Sequence, residues 1–109
     1  MPETETSIVE WADATFGRTS SNIRVAARAN EEMSELLRAL SVDENHPKAA
    51  EEIADIVIIL MRVASQLGTT IAAEVDRKMA INRERVWKLD GTGHGYHVRD
   101  KSAALPAAS

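Results

Sequence analysis

Apolar residues in this chain recur at three- and four-residue intervals rather than in alternation, and that spacing sorts the sequence into helices. Between residues 23 and 40, Ala26, Ala29, Met33, Leu36, Leu37 and Leu40 form one stripe, which predicts a helix ended by the polar stretch "SVDENH". A shorter helix precedes it, because Ser7 and Glu10 have capping-box spacing and Ile8, Val9, Trp11, Ala12 and Phe16 lead to a stop at Gly17. Pro47 suits a first helical position and no breaker follows until Gly68, so a third helix is expected over 47–67. Its centre, 56–61, is apolar on every side, and one neighbouring helix cannot cover it. The β-branched residues of that run also permit a strand, but its helix-forming flanks and the total length favour a helix. A fourth helix is predicted over 71–86, behind Thr69 and Thr70 as caps. The expected fold class is all-α, a four-helix-type bundle of one short and three longer helices. Beyond it, "KLDGTGHGYHV" reads as loop or turn and 101–109 as a frayed tail, leaving a single domain over 1–100.

A chain of 109 residues can bury one core, yet it is small enough that a partner subunit would add to its stability. A homodimer or homotetramer is expected, completing the bundle. The net charge of −4 argues against a general attraction for nucleic-acid polymers or anionic membranes. The C-terminal third is nonetheless locally basic, through Arg77, Lys78, Arg83, Arg85, Lys88 and Arg99. Without cysteine there is no disulfide, thiol nucleophile or Cys-ligated zinc site, so any chemistry must use oxygen or imidazole. The N-terminal stretch lacks the basic and apolar regions of a signal peptide, and no apolar run approaches membrane-spanning length. A cytoplasmic protein is expected.

Two acidic segments break this ordinary picture. "EEMSELLRAL" begins at residue 31 and "EEIADIVIIL" at residue 51, each setting carboxylates beside an apolar stripe. Residues three apart lie about 60° apart around a helix, so Glu32 neighbours Glu35 and Glu52 neighbours Asp55. Packed as an antiparallel hairpin, the two helices can turn these pairs toward one another. Two unit charges 4 Å apart repel by roughly 4 kcal/mol at an effective dielectric of 20, and a cation removes that penalty. Oxygen-only ligands select a hard ion, Mg²⁺ with Mn²⁺ as a substitute. The rival reading makes all six acids of the two segments ordinary solvated positions, since Glu is a good helix former.

The combination of Glu31-Glu32-x-x-Glu35 with Glu52-x-x-Asp55 inside an apolar helix resembles the signature of the MazG-like all-α nucleoside triphosphate pyrophosphohydrolases, over residues 23–88. That resemblance implies a bundle completed by oligomerisation and Mg²⁺ held by Glu32, Glu35, Glu52 and Asp55. It also implies hydrolysis of a (deoxy)nucleoside triphosphate between its α- and β-phosphates, giving the monophosphate and pyrophosphate. Glu31 and Glu35 are the candidate catalytic carboxylates, Glu31 either as a base or in support of the ligands.

Lys78, Asn82 and Arg85 follow at i, i+4 and i+7 on one helical face, and similar runs follow the carboxylate helices in members of this family. They are the candidate phosphate-binding residues, supplying charge-assisted hydrogen bonds to a triphosphate, and the alternative is an exposed, salt-bridged face. Tyr96, His94 and His97 are candidate contacts to the base from a neighbouring subunit. Two histidines without further ligand spacing do not make a zinc site. Trp11 and Trp87 are expected as core or interface anchors rather than as base-stacking residues. Phosphoribosyl-ATP pyrophosphohydrolase is similar in length and acidic motifs, but "IVIILM" after Asp55 lacks its usual Tyr-His pair. A di-iron carboxylate bundle would need Glu-x-x-His, which neither segment has. From another class, a non-catalytic helical dimer would use the acidic face to bind a partner.

Overall fold

A computed structural model describes residues 2–98, and these divide into two compact units, one running to Glu74 and the other beginning at Val75. The first contains α1 (Glu5–Phe16), α2 (Asn22–Val42), α3 (Lys48–Gln66) and the first turn of α4 (Ile71–Glu84). The second contains the rest of α4 and a two-stranded antiparallel hairpin, β1 (Trp87–Leu89) with β2 (Gly95–His97). All four predicted helices are present, and the class is all-α.

Helices α2 and α3 form the main packing pair. At one end Gln66 Nε2 donates to Asn22 Oδ1 over 2.7 Å, and further along Glu32 lies beside Glu52 and Asp55. Positions rise along α2 as they fall along α3, so the pair is antiparallel. The buried contacts are mostly small side chains: Val25 and Ala29 from α2, Ile56 and Ala64 from α3, and Ala12 from α1. Helix α3 ends in a Schellman arrangement, with Thr69 N donating to Ala64 O and Gly68 N to Ser65 O, both over 3.0 Å. Gly68 takes φ 81° there, the left-handed backbone that glycine adopts without a Cβ penalty.

The N-terminus of α1 differs from its sequence expectation. Thr4 is the cap, its side chain accepting from Ser7 N, while the Ser7 hydroxyl reaches back to Thr4 N, so Ser7 occupies the third position of the box. A hydroxyl stands at both sites, and spacing to Glu10 alone selected the wrong one. Glu5, one residue into the helix, accepts from Ile71 N and Ala72 N and so caps α4 across the unit. Glu5→Ala is expected to lower the unfolding free energy by about 1 kcal/mol, read as a reduced urea midpoint at unchanged m-value.

Two corrections concern the second unit. Helix α4 ends at Glu84 rather than at 86, and Arg85 lies in a bend with its amide donating to Asn82 O over 3.3 Å. The stretch expected as loop contains the hairpin, paired Trp87 with His97, Lys88 with Tyr96 and Leu89 with Gly95. Asp90 organises its turn, accepting from the Thr92 hydroxyl and amide and from His94 N, and these bonds hold its carboxyl below the usual range. Gly95 has its own steric reason, since a Cβ there would stand 2.6 Å from Lys88 O. The expected tail, 101–109, lies outside the described residues.

Candidate functional site

Helix geometry turns Glu32 of α2 and Glu52 and Asp55 of α3 toward a common point, where each places one carboxylate oxygen within 4.8 Å of the others. Glu32 and Glu52 are half-buried and Asp55 is exposed, so the focus opens to solvent on one side. Glu35 is not in this trio, although its negative charge reaches Glu52. A hydrogen-bonded approach of Glu32, partial burial, and the charges of Glu35, Glu32 and Asp55 together push the Glu52 carboxyl up from 4.5 to about 7. Glu52 Oε2 is buried and without a hydrogen-bond partner.

That orphaned oxygen bears on whether a metal fits. A buried acceptor without a donor is destabilising, and three converging carboxylates repel, but a hard divalent cation answers both. The donor set is oxygen only, which matches Mg²⁺ or Mn²⁺ rather than a soft ion. The residues fit such a cation.

Glu31 points elsewhere. It pairs with Arg28, whose Nη1 lies 2.8 Å from Glu31 Oε2 and whose Nη2 lies 3.7 Å from Glu32 Oε1. Arg28 and Glu31 line an open groove of about 710 Å³ between α1, α2 and α3. Arg28 thus joins the groove to the carboxylate focus. Trp11, Phe16, Ile58 and Arg62 form other parts of its lining. Trp11 is not a core anchor: it is 56% exposed, its ring meeting Phe16 edge-to-face at 5.6 Å. Sequence reasoning passed over the groove, although Arg62, a cation inside the apolar stretch of α3, was a signal of it.

The remaining candidates belong to the second unit. Lys78 is exposed and Asn82 half-buried on α4, the Asn82 carbonyl accepting from Trp87 Nε1 over 2.9 Å. Because Arg85 follows the end of the helix, the three residues do not form one continuous helical face. Tyr96 is exposed on β2, His94 lies in the turn, and His97 packs edge-on against Trp87 at 6.0 Å.

A model of the MazG-like family matches residues 28–96, which include both acidic segments, α4 and most of the hairpin. The chain belongs to the MazG-like family. Among curated proteins, this MazG-like chain is 37% identical over 90 residues to a dATP/dGTP diphosphohydrolase of Salmonella phage PMBT28, covering 83% of the chain and 29% of that relative. It is 32% identical over 72 residues to a dATP/dGTP diphosphohydrolase of Cyanophage S-2L, covering 66% of the chain and 64% of the relative. The MazG-like chain therefore spans less than two thirds of either relative's length. No solved structure matches it. Among the described residues no single helix is long and apolar enough to cross a membrane.

Proposed function

We propose that this chain is a divalent-metal-dependent nucleotide pyrophosphohydrolase, converting a deoxynucleoside triphosphate to its monophosphate and pyrophosphate. The observation that carries this is the convergence of Glu32, Glu52 and Asp55 in a MazG-like chain, with one buried oxygen of Glu52 left unpartnered. The two phage relatives are named for dATP and dGTP, which makes purine deoxynucleotides the first substrates to consider.

Glu32, Glu52 and Asp55, with Glu35 beside them, would hold Mg²⁺, or Mn²⁺ in its place. A bound divalent ion supplies charge neutralisation at the phosphates and a lowered pKa for water in contact with it. Glu35 would accept the proton of the attacking water, with Glu31 as the alternative from the groove side. Arg28 keeps Glu31 and Glu32 in orientation. The nucleoside enters the groove, its base against Trp11 and Phe16. Lys78, Asn82 and Arg85 bind phosphate oxygens. Tyr96, His94 and His97 contact the base from a second copy.

The assembly is a homodimer or homotetramer. Its support is apolar surface: along α3, Ile53, Val57 and Leu60 share a stripe, with Ile53 51% exposed, and Leu37 on α2 is 61% exposed. Single exposed apolar residues are ordinary, but a stripe flanking so small a core calls for cover.

The test is product analysis with dATP, dGTP, dCTP and dTTP, in Mg²⁺ and in EDTA. The expected result is equimolar monophosphate and pyrophosphate from dATP and dGTP with Mg²⁺ only. Release of orthophosphate, or no turnover of any nucleotide with Mg²⁺ or Mn²⁺, would overturn the proposal.

A further inference from the structure

Arg62 interrupts the apolar run of α3 and is half-buried, with its Nε buried and unpartnered. No carboxylate pairs with it among the described residues, although a guanidinium withdrawn from water is stabilised only by what it touches. What it touches is the end of α1. Arg62 Nη2 donates to the Gly17 carbonyl over 2.6 Å, and the guanidinium carbon stands 5.4 Å from the centroid of the Phe16 ring. Helix α1 has no basic residue in its last turn, so Arg62 brings from α3 the positive charge that a helix C-terminus favours.

Helix α1 buries only Ala12, and Phe16 is 63% exposed. Burial therefore does little to fix the rings. Contacts run in sequence instead: Arg62 over Phe16, and Phe16 edge-on to Trp11. All three line the groove.

We infer that Arg62 is a positioning residue, fixing the Phe16–Trp11 wall against which the base of the nucleotide packs. This rests on the proposal that the groove receives the nucleoside. It acts on substrate binding through the rings and leaves the carboxylate focus unchanged.

The experiment uses the full chain carrying Trp87→Phe, so that Trp11 is the sole tryptophan. In that background Arg62→Met is expected to lower Trp11 fluorescence anisotropy. It is also expected to raise KM for dATP about tenfold with kcat within about twofold, the combined loss of one hydrogen bond and one cation–π contact. Arg62→Lys keeps a cation and a donor and restores part of both. Phe16→Leu raises KM similarly, and the double variant goes no further, because both changes break one relay. Unchanged anisotropy in Arg62→Met, an unchanged KM, or multiplying effects of Arg62→Met and Phe16→Leu would each overturn the inference. Should Arg62→Met fail to fold, Arg62→Lys with Phe16→Leu carries the same test of additivity. If the parent hydrolyses no nucleotide, the proposed function fails by itself, and the Trp11 anisotropy still decides whether Arg62 holds the wall.

Discussion

Glu52→Gln is expected to lose about three orders of magnitude in kcat and, without added divalent ion at about pH 8, to unfold at a higher temperature than the parent. Both effects come from one charge. Glutamine matches the shape of glutamate and keeps one acceptor oxygen, but it cannot supply the anionic oxygen that a hard cation requires. The same substitution removes a carboxylate whose pKa is raised to about 7 by its hydrogen-bonded approach to Glu32, by partial burial, and by the charges of Glu35, Glu32 and Asp55. Above that value the parent must carry the full repulsion. Between 4.5 and about 7 the penalty grows as the unfolded chain ionises, so the difference in melting temperature should shrink toward pH 5.5 and vanish only below about pH 4.5. Glu44→Gln, on the exposed link between α2 and α3, is the control and should alter neither property. A Glu52→Gln enzyme retaining a tenth of parental activity would remove these carboxylates from the chemistry. Equal melting temperatures at high pH would show that they do not strain one another.

Periodicity made the helices legible because each carries apolar residues at helical spacing, and Gly17 and Gly68 stand where their backbones need positive φ. The hairpin was hidden for the opposite reason. Its strands are three residues each, too short for alternation to register, and the glycines that mark its turn also suggested a loop throughout. Arg85 was drawn onto the helix because spacing continues on paper where hydrogen bonding stops. At the site, i and i+3 spacing identified Glu52 and Asp55 as neighbours, and the antiparallel packing of α2 on α3 brought Glu32 to them. Spacing on a single helix does not say which member of the Glu32 and Glu35 pair faces the partner. That depends on the rotation of α2 about its axis, which its burial of Val25 and Ala29 fixes. The groove was beyond pattern reading for a related reason. Trp11 and Phe16 look like core residues in one dimension, and only the thin packing of α1 leaves them exposed.

Stabilisation by divalent ions should be slight near pH 5.5 and reach full size near pH 8. The Glu52 pKa is raised in the folded protein, from 4.5 to about 7. Without a bound ion, the folded state therefore holds this proton more tightly than the unfolded chain does. The corresponding stability is complete below 4.5, declines as pH rises, and is lost once Glu52 ionises in the fold, above about 7. An ion reverses the preference by favouring ionised Glu52, and below 7 it must displace the proton. That competition alone weakens binding about tenfold per pH unit, or roughly 30-fold at pH 5.5. Melting curves in millimolar Mg²⁺ and in EDTA, taken across this range, should separate progressively toward alkaline pH. Sodium chloride at matched ionic strength distinguishes chelation from screening, since screening weakens repulsion without needing a common focus of ligands. If sodium reproduces the whole increment, the acids form a solvated face rather than a metal site. If Mg²⁺ exceeds it, and Glu52→Gln abolishes the excess, the stabilisation belongs to the point where α2 and α3 bring their carboxylates together.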